Sequence, residues 1–227
     1  MNTFPLFHPY PLTERDGFPL PLDLHADSRP ILSVRDEHEM MRHSYDRLNG
    51  SAIISKFNDS FEQVRSKALK ARLVPFYKTI PEATKYQRYE ECNPSKLRAE
   101  IQEYGVNMAP GQVLFHGGDF SFEDVHYLGT GPFFSTFSPV TALWHAYNDG
   151  RPTWSHREGR ALENPAVLVL TVSICFNQKA IVFRGAAPGM GDEREALFCD
   201  IGKILPRSEY VMSEPYNPIN VICATLI

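Results

Sequence analysis

The feature of this sequence that most limits its fold is a change of character at Gln112. From this residue onward, short runs rich in β-branched and aromatic residues follow one another: QVLFHGG, GPFFSTFS, AVLVLTVSICF, KAIVFRG, EALFCDIG, YVMS and NVICATLI. Apolar runs of this length are typical of β-strands. One clear helical pattern interrupts them, over residues 139–147. The pattern therefore predicts a twisted, mostly antiparallel sheet over residues 112–227.

The first 111 residues predict a different organisation. Six prolines lie within residues 1–31, and this density disfavours both helix and sheet, so we expect an extended arm there. Helical signals cover residues 33–49, 51–72 and 94–104, the last with Pro94 at its start and Gly105 after its end. We therefore predict an α+β protein, with a helical N-terminal half and a β-sandwich-like core. Its predicted parts are an arm (1–31), a helical region (32–111) and a β-rich core (112–227).

Composition argues against several classes of function. With 23 basic and 27 acidic residues the formal net charge is -4, so the basic surface of a nucleic-acid-binding protein is not expected. No apolar run approaches the ~20 residues of a membrane-spanning helix. The four cysteines show no CxxC spacing, which favours a reducing compartment. The first residues lack the basic and apolar regions of a classical secretory signal, so none is expected.

Two motifs in the sequence imitate known sites. His38, Glu39 and His43 form HExxxH on a predicted helix, but histidines five residues apart lie about 140° apart around a helix axis. The zinc motif needs them four apart, on one face, so no metal site is predicted. The segment GAAPGMG at residues 185–191 lacks the lysine that closes a phosphate-binding loop, and we interpret it as a mobile loop.

Three other segments contain candidate functional residues. The first is a predicted strand that ends in His116, Gly117 and Gly118. Glycines let a backbone approach a ligand closely. Taken alone, this segment also fits the start of a hairpin with a solvated histidine.

The second segment places Ser135 and Thr136 between phenylalanines, just before a helix for which Ser138 is a candidate N-cap. Strand alternation puts Phe134 and Thr136 on one face and Phe133, Ser135 and Phe137 on the other. One phenyl ring and one hydroxyl are therefore expected to face a cleft together.

The third segment contains Glu193 and Glu195, which are two residues apart at the entry to an apolar strand and so point to the same side. An edge strand with charges outward is the simpler interpretation. A functional interpretation requires a cationic or electrophilic target for the carboxylates.

Taken in order, the three segments resemble the ADP-ribosyltransferase superfamily over residues 112–227. That family carries an arginine or histidine on its first core strand, then a Ser-Thr-Ser or tyrosine segment, then a Glu-x-Glu or single glutamate. The matching positions here are His116, Ser135-Thr136-Phe137 and Glu193-Arg194-Glu195. His116-Gly117 is similar to the diphtheria-toxin and poly-ADP-ribose polymerase branch. The other two segments are similar to the cholera-toxin and C3-toxin branch, which has arginine in place of His116 and serine in place of Phe137.

The resemblance implies a role for each matching residue and NAD as co-substrate, with no metal. Glu195 would stabilise the positive charge that develops on the ribose when nicotinamide leaves, Ser135 would orient Glu195, and Glu193 would engage the acceptor. The NAD-binding residues would be His116 on a ribose hydroxyl, the Gly117 backbone on the nicotinamide carboxamide, Phe134 or Phe137 stacked on the nicotinamide ring, and Thr136.

The resemblance further implies a mono-ADP-ribosyltransferase that modifies a protein side chain. We expect a bacterial effector or toxin, secreted without a classical signal into the cytosol of a target cell, or otherwise a cytoplasmic enzyme. Two alternatives stay open: the same fold acting on a nucleic acid, a small molecule or water, and a catalytically dead binding module. The intact Glu-x-Glu favours an enzyme, whereas histidine at position 116 leaves the binding module open.

Overall fold

A computed structural model describes residues 3–4, 41, 80–128, 131–146, 164–183, 195–212 and 218–227. Three helices with described bounds accompany the strands: α1 (Pro81–Gln87), α2 (Pro94–Tyr104) and α3 (Pro139–Ala146), with a 3-10 turn at Asp124–Tyr127. The strands are β1 (Thr3–Phe4), β2 (Val106–Met108), β3 (Val113–Asp119), β4 (Phe133–Thr136), β5 (Pro165–Val172), β6 (Lys179–Val182), β7 (Glu195–Phe198), β8 (Ile204–Met212) and β9 (Ile219–Leu226).

These nine strands form one sheet in the order β1-β2-β6-β7-β4-β3-β5-β9-β8. Pairing is antiparallel except between β1 and β2 and between β5 and β9. The predicted mostly antiparallel sheet is therefore confirmed. The predicted fold class, α+β with a helical N-terminal half and a β-sandwich-like core, is wrong, because the part of the chain that the structure describes is mostly β and its strands belong to a single curled sheet.

The fold class was wrong because residues on both sides of the proline-rich region enter the sheet. Thr3 and Phe4 precede the first proline and pair with Asn107 and Met108. Phe4 is 1% exposed, and its ring lies 5.0 Å from that of Phe137. The density of prolines over residues 1–31 predicted no strand there. Thr3 and Phe4 are not prolines, so they keep the backbone N–H groups that strand pairing requires. The predicted helices at 33–49 and 51–72 lie outside the described residues, apart from the buried Met41, and the predicted domain boundaries stay a prediction.

Local helix signals are confirmed where the structure describes them. Asn93 caps α2 by accepting hydrogen bonds from the backbone N–H groups of Ser95 and Lys96. Ser138 caps α3 through its Oγ, which accepts from Thr141 N at 3.1 Å. Side-chain caps satisfy backbone donors that have no partner within the helix, so these residues set where each helix begins. None of the described helices is long and apolar enough to cross a membrane.

The sheet has two faces with separate apolar cores. One face, which includes Phe4, Leu114, Phe133 and Phe198, carries the largest buried cluster. The other face is covered in two places, by α3 with Met41 over β3, β5 and β9, and by α1 and α2 over β6 and β7. In the strand order, the boundary between these two apolar clusters falls between β4 and β3.

Among the neighbouring strands that the structure describes, β3 and β4 share the fewest ladder pairs. Among the described residues of these two strands, Phe115 and Thr136 are the one ladder pair. On their other sides, β3 pairs along its whole length with β5, and β4 along its whole length with β7. Beyond Phe115 the described parts of the two strands form no further ladder pairs, and we call the region between His116–Gly118 and Phe133–Ser135 the notch.

Candidate active site at the strand notch

Glu195 is the first residue of β7, and its carboxylate is buried. Its side chain is 9% exposed, and Oε2 accepts a 2.7 Å hydrogen bond from Nε2 of Gln87. In the antiparallel pairing of β4 with β7, Glu195 lies directly opposite Thr136. Directly opposite residues share a face of the sheet, with Cβ atoms about 5 Å apart. Glu195 therefore lies between a hydroxyl-bearing residue of β4 and an amide from helix α1.

Helix α1 reaches this position because α2 caps it. The backbone N–H groups of Glu82 and Ala83 donate to the two carboxylate oxygens of Glu100 at 3.0 and 2.9 Å. A carboxylate at a helix N-terminus accepts hydrogen bonds from backbone N–H groups that have no partner within the helix. Its negative charge also interacts favourably with the positive end of the helix dipole. The N-terminal end of α1 is thus fixed to α2, which leaves its last residues, Tyr86 and Gln87, facing the sheet.

The C-terminal end of α1 is attached to β4 by Tyr86. The Tyr86 hydroxyl donates to the carbonyl oxygen of Pro132 at 2.9 Å, and its ring stacks on Phe134 with centroids 5.3 Å apart. The ring of Phe183 also packs near Phe134, with the two ring centroids 6.1 Å apart. Phe134 is half-buried, and it lies on the same face of the sheet as Glu195. An aromatic wall therefore stands beside the carboxylate.

The predicted alternation along β4 is present in the structure. Phe133 and Phe137 belong to the large core cluster, whereas Phe134 packs with the α1 and α2 cluster on the other face. Thr136 accepts a hydrogen bond from Ser138 N at 3.0 Å. Phe137 is fully buried against Phe4, so its ring has no open face for a ligand.

Ser135 lies on the opposite face from Glu195, since its ladder partner is Ala196. The side chain is 3% exposed, and its Oγ is buried with no hydrogen-bond partner. The partner that the structure gives to Glu195 is Gln87, which the sequence analysis did not single out. Helix α1, which carries Gln87, could have been predicted from Pro81-Glu82-Ala83, because a proline followed by good helix formers marks the start of a helix.

His116 closes the notch between the two strands. Its Nδ1 lies 2.8 Å from the carbonyl oxygen of Phe134. A carbonyl can only accept, so Nδ1 carries the proton and the neutral ring leaves Nε2 as an acceptor. The ring packs against Phe133 and Phe120, with centroids 4.6 and 5.8 Å away. Burial lowers the pKa of His116 to about 4, aided by nearby His145 and opposed by the Phe134 carbonyl.

Gly117 is glycine because α3 lies against it. A Cβ on this residue would lie 1.8 Å from the carbonyl oxygen of Ala142 and 2.8 Å from the backbone nitrogen of Ala146. Real Cβ atoms essentially never come this close to backbone atoms. The glycine therefore lets α3 pack closely against β3.

Several predicted features lie outside the described residues. They are Glu193 and Arg194 of the Glu-x-Glu segment, the glycine-rich segment at 185–191, and the HExxxH residues His38, Glu39 and His43. Within the described ranges, no group of three or more histidine, cysteine, aspartate or glutamate side chains is arranged to hold a metal ion.

No protein-family model matches this sequence, and no curated protein sequence is significantly similar to it. Several solved ADP-ribosyltransferases are similar to it in structure. The Vis toxin of Vibrio splendidus is 13% identical over 86% of this chain and 88% of its own, with a TM-score of 0.36. An ADP-ribosyltransferase toxin of Paenibacillus larvae is 12% identical over 71% of this chain and 90% of its own, with a TM-score of 0.41. With identities and TM-scores this low, the case for function rests on the side chains of the site.

Proposed function

We propose that this chain is an ADP-ribosyltransferase that cleaves NAD and transfers ADP-ribose to a side chain of a target protein. The observation that carries the proposal is the Glu195 carboxylate, buried at the start of β7 and hydrogen-bonded to Gln87. Burying a carboxylate costs free energy unless it is well hydrogen-bonded, so a fold keeps one in such a place for a reason.

Such a carboxylate can assist a reaction in which a bond breaks and positive charge develops on one of the fragments. NAD supplies a bond of this kind between nicotinamide and ribose. A fixed negative charge with little water around it stabilises developing positive charge more strongly than a solvated one does. Glu195 is therefore our candidate for the catalytic carboxylate.

Residues on both faces of the sheet around β4 offer groups of the kinds that NAD requires: Phe134 lies on the face of Glu195, and His116 and Ser135 lie on the other face. Phe134 presents a half-buried ring beside Glu195, in keeping with stacking on a flat heteroaromatic ring. The free acceptor Nε2 of His116 is suited to a ribose hydroxyl. Ser135 Oγ is buried without a hydrogen-bond partner, and an unsatisfied buried hydroxyl of this kind is unusual outside functional sites. Because Phe137 is buried against Phe4, we assign ring stacking to Phe134.

The biological setting belongs to the same proposal. We infer a bacterial effector or toxin that acts on a protein of the target cell, with NAD as co-substrate. What supports this setting is the ordered set of His116, Ser135-Thr136-Phe137 and Glu193-Arg194-Glu195, which resembles the toxin branches of the superfamily.

The test is release of labelled nicotinamide from NAD by the purified protein, with and without a cell lysate, followed by mass spectrometry of labelled lysate proteins. Glu195→Gln is close to isosteric and should keep the fold. It should slow nicotinamide release by roughly 10²–10³-fold, the usual cost of removing one preorganised electrostatic group.

A matched control is Glu209→Gln, an exposed glutamate of β8. It should leave nicotinamide release unchanged. A folded wild-type protein that releases no nicotinamide under any condition would refute the proposed activity. Equal rates for wild type and Glu195→Gln would refute the assignment of Glu195.

A further inference from the structure

We infer that Gln87 is a positioning residue for Glu195, and that through it helix α1 holds the reactive carboxylate in its working orientation. The inference deepens the proposed function and rests on it. Gln87 is 5% exposed, and its Nε2 donates to Glu195 Oε2 at 2.7 Å. A hydrogen bond of this length to a charged acceptor is among the stronger kinds in proteins.

The orientation of the Gln87 amide is determined by its partner. A carboxylate offers only acceptors, so the amide must present its nitrogen and not its oxygen. Swapping the amide for a group that cannot donate leaves the buried Glu195 without this bond. Swapping both residues for apolar ones removes the mismatch, and is often nearly neutral for stability.

Helix α1 is rigid enough for this task because both of its ends are held. Glu100 accepts from the backbone N–H groups of Glu82 and Ala83 at its start. Tyr86, next to Gln87 at its end, binds the Pro132 carbonyl and stacks on Phe134. Gln87 therefore approaches Glu195 from a platform fixed to β4, the strand that pairs with β7.

A positioning residue should affect the transition state more than ground-state binding. Misplacing a catalytic group by about 1 Å can cost 10²-fold in rate. We expect Gln87→Leu to lower kcat for nicotinamide release by about 10–10²-fold while KM for NAD changes by less than about 3-fold. Calorimetry with a non-hydrolysable NAD analogue should show unchanged affinity. A matched control is Gln102→Leu, an exposed glutamine of α2, which should behave as wild type.

A second readout does not depend on activity. We expect Gln87→Leu to lower Tm by about 5 °C in the wild-type background, because it removes a hydrogen-bond donor from a buried carboxylate. In a Glu195→Leu background the same change should lower Tm far less, since the carboxylate that accepted this hydrogen bond is gone. Such non-additivity is the signature of a direct contact.

The outcomes separate the two proposals. A wild type that cleaves no NAD refutes the proposed function, and the Tm cycle then still decides whether Gln87 holds Glu195. Additive Tm shifts overturn the link between the two residues. A folded Gln87→Leu with wild-type kcat, or one that loses NAD affinity together with kcat, overturns the positioning role. A selective fall in kcat with non-additive Tm shifts supports it.

Discussion

His116 donates its Nδ1–H to the main-chain carbonyl oxygen of Phe134 across 2.8 Å, at the place where β3 and β4 have stopped pairing. Its imidazole thus bridges the notch that backbone hydrogen bonds would close in a regular antiparallel pair. Because Nδ1 is occupied, Nε2 is the ring atom left to accept from a ligand. Residue 116 therefore has two separable roles, one in joining the sheet and one proposed in binding.

The joining role predicts a pH dependence of stability. Burial lowers the pKa of His116 from 6.5 to about 4 in the folded protein. Between these values the unfolded chain binds a proton that the folded chain does not, so the free energy of unfolding should fall as pH drops from about 6.5 to about 4. His116→Asn keeps an N–H donor near Phe134 but cannot titrate. Urea unfolding over this range should show a steeper loss for wild type than for the variant. Parallel curves would contradict a buried neutral histidine.

The binding role predicts a change in the requirement for NAD. His116→Ala removes the Nε2 acceptor, and a lost hydrogen bond is worth roughly 0.5–1.5 kcal/mol, or a factor of about 2–13 in Kd. We expect weaker binding of a non-hydrolysable NAD analogue, measured by calorimetry on protein that is folded by circular dichroism. His116→Asn should lose the same affinity, since its amide replaces Nδ1 and not Nε2. Unchanged affinity in both variants would leave residue 116 with a structural role alone.

Gly117→Ala should be strongly destabilising. The added Cβ would lie 1.8 Å from the Ala142 oxygen, and a helix backbone cannot move aside as a flexible side chain can. We expect a loss of at least about 1–3 kcal/mol, or a fall in Tm of several degrees. Gly131→Ala is the matched control, because a Cβ there meets nothing within 4 Å. If the two variants melt at the same temperature, the close packing of α3 on β3 is refuted.

Local signals in the sequence predicted the elements that local chemistry determines. Helix α2 is flanked by a capping Asn93 and by Gly105, and α3 begins at the capping Ser138. The alternation along β4 follows from a period of two residues, so the faces of Phe134 and Ser135 could be assigned without coordinates. His116 and Glu195 were likewise singled out from the sequence, each with a residue type that suits its proposed chemistry.

Contacts between distant residues were not predictable in the same way. Gln87 and Glu195 are 108 positions apart, and no periodicity connects them. The burial of Phe4 against Phe137 depends on an N-terminal strand of only two residues, which is too short to give a pattern. Gly117 was predicted to expose backbone to a ligand, whereas the contact seen in the structure is with Ala142 of α3.

The two glutamates of Glu193-Arg194-Glu195 should have different roles in the reaction. Glu195 acts on the ribosyl charge in our proposal, so every reaction on NAD should need it. Glu193 lies outside the described residues. The Glu-x-Glu resemblance implies that it engages the acceptor, and this role stays part of our proposal.

Glu193→Gln should therefore abolish or cripple transfer to protein while some NAD hydrolysis remains, whereas Glu195→Gln should lose both. The measurement is nicotinamide release and protein labelling in parallel, with and without lysate, for each single variant and for Glu209→Gln. Equal loss of hydrolysis and transfer in both variants would refute the division of labour, because a residue on the acceptor side has no part in attack by water. Full activity of both variants would refute the family assignment itself, since neither carboxylate would then touch the reaction.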